Sequence, residues 1–105
     1  MEKEDKNNSK ERSLRIQFPK LYNHIAAKLE DYHVHSYDVQ INVKEEESYH
    51  CIVLHYGNGY SHHLSQVFTP KQMYEMDTEI TDFVQKSVDT IKEVMVADYF
   101  KMMKV

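Results

Sequence analysis

Asn58-Gly59 constrains this chain more than any other feature, because that dipeptide between two apolar, β-favouring segments specifies an antiparallel hairpin. A type I′ turn needs positive φ at both central residues, which asparagine and glycine adopt at least cost. Residues 48–57 before it are rich in Tyr, Ile and Val, and residues 60–68 after it return as the partner strand. Further upstream, residues 33–44 alternate with a period of two. His33, His35, Tyr37, Val39, Ile41 and Val43 form one face; Val34, Ser36, Asp38, Gln40, Asn42 and Lys44 form the other. That pattern marks a half-buried strand. With Glu45-Glu46-Glu47 as a charged turn, the spacing predicts a three-stranded antiparallel meander over about 33–44, 48–57 and 60–68.

Each turn implies a register. A two-residue turn at Asn58-Gly59 pairs Gly57 with Tyr60, and hence His55 with His62, Val53 with Leu64 and Cys51 with Gln66. A three-residue turn at 45–47 pairs Lys44 with Ser48, and hence Ile41 with Cys51, Val39 with Val53 and Tyr37 with His55. Both registers place the Cys51 and Val53 face of the middle strand against apolar neighbours. A one-residue slip would turn that whole set to the other side. The opposite face, Ile52, Leu54 and Tyr56, then needs a cover, either the first helix or a partner.

Helical spacing flanks the meander. Pro19 suits a first helical turn, and Leu21, Tyr22, Ile25, Ala26 and Leu29 follow on one face, predicting a helix over about 19–30. Leu14, Ile16 and Phe18 alternate as in a short strand, and Pro19 disfavours helix just before itself, so 14–18 reads as strand or helical lead-in. Thr69, Pro70 and Gln72 form an N-cap, a first-turn proline and a capping box. The stripe Met73, Met76, Ile80, Phe83, Val84, Ser87, Val88, Ile91, Val94 and Met95 then predicts one helix over about 70–103. At 1.5 Å per residue it would be about 50 Å long. A ten-residue strand spans only about 33 Å. The fold class is α+β, with a helix end that overhangs its sheet.

The chain has 105 residues, which suits one domain with one modest core. Residues 1–13 carry four positive and four negative charges with no large apolar residue after Met1, so they are expected to form a disordered or frayed tail ahead of a domain at 14–105. Seventeen acidic and 13 basic residues leave a formal net charge of -4, which disfavours non-specific nucleic-acid binding. The lone cysteine, Cys51, cannot form an internal disulfide and fits a reducing compartment. The charged N-terminus lacks the apolar core of a signal peptide, and no apolar run approaches the ~20 residues that span a bilayer. The expectation is a cytoplasmic protein without membrane contact.

Two surfaces stand out as candidate sites. Val94, Met95, Tyr99, Phe100, Met102 and Met103 make the overhanging helix end apolar on nearly every side. Together with Ile52, Leu54 and Tyr56 they form a candidate interface for a protein partner, a second copy in a homodimer or a heterologous chain. The alternative is a histidine cluster, since seven histidines are present and the register brings His55 opposite His62 with His35 near. Imidazole nitrogens at one sheet end are zinc-binding chemistry, although no His-Glu-x-x-His or paired-cysteine spacing accompanies them. Cys51 falls mid-strand on the expected core face and reads as a small buried hydrophobe. Gly57-Asn58-Gly59 is a turn rather than a phosphate loop, and the acids sit in the 45–47 turn and on the solvent side of the last helix. No catalytic signature is present, so the chain reads as a non-enzymatic interaction or regulatory domain that needs no cofactor. The element order resembles that of double-stranded-RNA-binding domains in topology alone. Residues 69–77 offer one lysine against two acids, too little to grip duplex phosphates.

Overall fold

Four antiparallel strands rather than three build the sheet in the computed structural model, which describes residues 10–103. The elements are β1 (Glu11–Ser13), α1 (Leu14–Gln17), α2 (Pro19–Asp31), β2 (Val39–Glu45), β3 (His50–Tyr56), β4 (His62–Phe68), α3 (Pro70–Glu75) and α4 (Thr78–Met103). The strands lie side by side in chain order. The result is an α+β fold with a long C-terminal helix.

The added strand comes from the charged stretch expected to be tail. Glu11, Arg12 and Ser13 pair with Lys44, Val43 and Asn42, so order begins at β1 rather than at Leu14. Residues 1–9 lie outside the described residues. The alternation at 14–18 is a helical turn, not a strand: Leu14 is fully buried while Ile16 is 75% exposed. Phe18 leaves the helical region (φ −137°, ψ 72°) and ends α1 directly before Pro19, whose ring disfavours a helical neighbour.

The expected strand 33–44 begins only at Val39. Helix α2 closes first, with His33 in the left-handed region (φ 65°). The His33 N–H donates to the Glu30 carbonyl (2.9 Å) and the Val34 N–H to the Leu29 carbonyl (3.0 Å), which is the Schellman pattern. That reversal buries Val34 beside Leu29 and leaves His33, His35 and Tyr37 exposed. The face expected to be inward is therefore outward over these residues.

Both expected registers are corrected. Strand β2 meets β3 with Val39 opposite Tyr56, Ile41 opposite Leu54 and Val43 opposite Ile52. On its other side β3 places Tyr56 opposite His62, Leu64 opposite Leu54 and His63 opposite His55. Each shift is by an odd number of residues, three for the first turn and one for the second, so the two registers still agree but select the opposite face of β3. Ile52, Leu54 and Tyr56 bury more apolar surface than Cys51, Val53 and His55 would, and burial scales with apolar area. They are core residues, which removes them from any interface.

The long helix is also interrupted. Met76 takes the left-handed conformation (φ 52°), and Asp77 starts a new helix by accepting the Glu79 N–H on Oδ1 at 2.8 Å. No glycine or proline marks this break; the competing cap at Asp77 makes it. Helix α4 keeps 26 residues, about 39 Å at 1.5 Å per residue. Its inner stripe, Ile80, Val84, Val88 and Ile91, packs in one cluster with Leu14, Leu21, Ile25 and Leu29 and with the Ile41, Val43, Ile52 and Leu54 face of the sheet. The smallest dimension, 20 Å, is that of two layers, helices over one sheet face.

Candidate functional site

The end of α4 is seated on the hairpin it overhangs. Asp98 Oδ2 accepts the Asn58 backbone N–H at 2.8 Å, and Val94 lies against Gly57. Val94 and Met95 are half-buried against the core. Continuing the inner spacing of four and three, Ile80, Val84, Ser87, Ile91, Val94 and Asp98 form the seated face. The outward face follows the same spacing through Gln85, Asp89, Lys92, Val96 and Tyr99, with Phe100 beside Val96. It is polar through Lys92 and apolar from Val96 onward. Val96, Tyr99 and Phe100 are 53%, 59% and 61% exposed, and the Tyr99 and Phe100 rings meet edge to face at 5.9 Å. Met102 and Met103 belong to this helix by backbone; their side chains lie outside the described residues. A shallow cavity of about 240 Å³ separates the helix end from the hairpin, lined by Asp38, Gly57, Asn58, Met95, Asp98 and Tyr99.

The structure does not bring His35, His55 and His62 together. His35 lies in the segment between α2 and β2, stacked on Tyr37 at 5.4 Å. His62 stacks on Tyr56 at 5.7 Å, on the helix-covered side of the sheet. His55 is on the other side, next to His63 at 5.9 Å. Among the described residues no group of three or more His, Cys, Asp or Glu side chains is placed to hold a metal ion. The correction follows from the register, because a one-residue slip sends neighbouring side chains to opposite faces. Cys51 moves with it, from the expected core face to the uncovered one, where it is half-buried opposite Lys44 and Val67.

Sequence reading missed two features. On the uncovered face Glu11 Oε1 accepts from Asn42 Nδ2 (2.9 Å) and from His55 Nε2 (2.8 Å), a strap tying the short β1 across β2 to β3. Partial burial alone would raise the Glu11 carboxyl, but those two hydrogen bonds and the nearby charges of His55 and Lys44 outweigh it and hold it below its ordinary value of 4.5. The second is an apolar cleft of about 250 Å³ between Phe18–Leu21 and Met73–Met76, walled by Phe18 and Tyr74 with ring centroids 6.0 Å apart. Neither had a local signal, since each joins residues distant in sequence.

The strap makes a pH-dependent prediction. A carboxylate whose folded pKa is lowered contributes stability at pH above its unfolded value, and that contribution is lost as pH falls through the folded value. Glu11→Gln should therefore cost about 0.5–1 kcal/mol at pH 7, a partly exposed pair being screened by solvent. The difference from wild type should narrow when the pH is taken from 7 to an acid value below the lowered folded pKa. Urea denaturation at both pH values checks it, and an equal difference at both would show that charge is not involved.

No family model, curated protein or solved structure matches this chain. Among the described residues, no helix is long and apolar enough to cross a membrane. Function therefore rests on the geometry of the surface itself.

Proposed function

We propose that this chain is a non-enzymatic protein-interaction domain, which docks a protein surface through the outward face of the end of α4. One observation carries the reading. The outward stripe of a single helix is polar at Gln85, Asp89 and Lys92 and then becomes Val96, Tyr99 and Phe100, all more than half exposed. The change of character occurs where the helix passes the hairpin, and the inward side is held there by the Asp98–Asn58 bond. Aromatic side chains on a helix whose other side is anchored lose little further freedom on binding, and aromatics are enriched where interfaces concentrate their energy. The three side chains offer about 350 Å² of apolar surface, taking typical areas for aromatic and aliphatic groups. That is the scale of a functional patch and below the ~800 Å² per partner of a standard stable interface. A docking contact of moderate strength fits those areas.

The test places a photoreactive benzoyl-phenylalanine at Phe100 in the full chain, with the same group at Gln85 on the polar part of the stripe as control. Irradiation of cells expressing each should yield discrete protein adducts from position 100 and none from 85, and mass spectrometry separates a second copy from another chain. No adduct at 100, or equal adducts at both, would overturn the reading. So would a melting temperature lowered by more than a few degrees in Tyr99→Ser/Phe100→Ser, because side chains that dock a partner should not hold the monomer together.

A further inference from the structure

The two edges of the sheet are built differently. At one edge β1 is three residues long, carries Glu11 and Arg12, and turns at once into a helix. Short, charged, turned-away edges are how proteins discourage strand addition. At the other edge β4 has seven residues, His62–Phe68, with no lysine, arginine, carboxylate or proline among them. Five of the seven are exposed, and Val67 is 54% exposed. Among the described residues no strand pairs with its outer side.

We infer that β4 pairs edge to edge with β4 of a second copy, about a two-fold axis at Ser65. The occupant follows from the sequence of the strand. Centred on Ser65, an antiparallel self-pairing uses all seven residues: His62 meets Phe68, His63 meets Val67, Leu64 meets Gln66 and Ser65 meets its own copy. No charged side chain faces a like charge, and each off-axis pair sets one polar side chain against one apolar one. Like charges directly opposite would oppose pairing, and their absence along a whole edge permits it. The two-fold closes the assembly, so the contact yields a dimer with a continuous eight-stranded sheet rather than a filament. Area sets its strength. A strand of seven residues is about 23 Å long and buries on the order of 400 Å² per copy, half of what a standard interface buries. The dimer is therefore concentration-dependent, forming in the micromolar range or above. It uses a different surface from the helix end, so the two readings stand or fall separately.

Sedimentation velocity on the full chain from about 10 to 500 µM should show a monomer–dimer equilibrium in that range. Ser65→Lys, which sets two ammonium groups across the axis, should weaken association about tenfold or more, while Ser65→Thr should preserve it. In a Cys51→Ala background, Ser65→Cys should form a disulfide-linked dimer under mild oxidation. Facing residues of an antiparallel ladder have Cα atoms about 4.5–5.5 Å apart, within disulfide reach. Ser61→Cys, outside the paired strand, should not. If circular dichroism shows the lysine variant unfolded, Ser65→Asp takes its place. The inference is overturned if the chain stays monomeric throughout, if Ser65→Lys dimerises like wild type, or if Phe100→Ser abolishes association that Ser65→Lys leaves intact.

Discussion

Leu54→Ala should lower the unfolding free energy by about 3–5 kcal/mol, a large share of what a domain of this size possesses. The Leu54 side chain is fully buried in the central strand, opposite Ile41 on one side and Leu64 on the other. Neighbours on both sides and the helices above prevent the site from collapsing, so truncation leaves a cavity as well as losing transferred surface. The matched comparison is Cys51→Ala, three residues earlier and on the other face of β3. That side chain is half-buried and should cost about 1 kcal/mol or less, small for a core-sized effect. Urea denaturation of both variants distinguishes the observed register from the one the turns imply. Were Cys51 the core residue and Leu54 a surface one, the order of the two effects would reverse.

Gly57→Ala should cost about 3 kcal/mol, against about 1 kcal/mol for Gly59→Ala, although the two glycines flank one asparagine. Gly57 has φ 85° and ψ −176°, a region that residues with a Cβ hardly enter. A Cβ there would also lie 2.7 Å from the His62 ring and 3.1 Å from Val94. The His62 ring is exposed and can yield, whereas Val94 belongs to the helix end. Gly59 has φ 67° in the ordinary left-handed region, and a Cβ there meets nothing within 4 Å. The consequence reaches beyond stability. Displacing Gly57 strains the Asn58–Asp98 hydrogen bond that seats the end of α4, so amide exchange near residues 94–101 should accelerate in Gly57→Ala and not in Gly59→Ala. Equal thermal shifts for the two variants would show that the close approach of helix and turn is immaterial.

The same glycine explains why the hairpin was only half legible. Asn58-Gly59 does mark the reversal, and the Tyr60 N–H does donate to the Gly57 carbonyl at 2.9 Å. The positive φ values, however, fall at Gly57, Gly59 and Tyr60 rather than at Asn58 and Gly59. The loop lengthens to Gly57–Ser61, and β4 slips by one residue. A type I′ rule describes an isolated hairpin; this one carries a helix end on its tip. The histidine proposal failed with it, since a zinc site from His35, His55 and His62 required the two-residue turn. Agreement between the two inferred registers gave no protection, because errors of one and three residues have the same parity and preserve mutual consistency.

Short-range physics alone determined a good deal of this protein. Period-two and helical spacing located the three long strands, the earliest of them only from Val39, and α2, which ends at 31 where 30 was expected. The capping box at Thr69 and Gln72 is present as read, with hydrogen bonds of 3.0 and 3.1 Å. Tyr99 and Phe100 were also legible as surplus apolar surface, since a helix longer than its sheet must leave part of itself uncovered. Only the tertiary structure decided which face of β3 is core and that Glu11 begins a strand, whereas the cap at Asp77 that divides the last helix is local. Each of those outcomes is a choice between local alternatives of nearly equal energy. Burial of Ile52 and Leu54 decides the first and pairing along β2 the second, and both join residues that the chain keeps far apart in sequence.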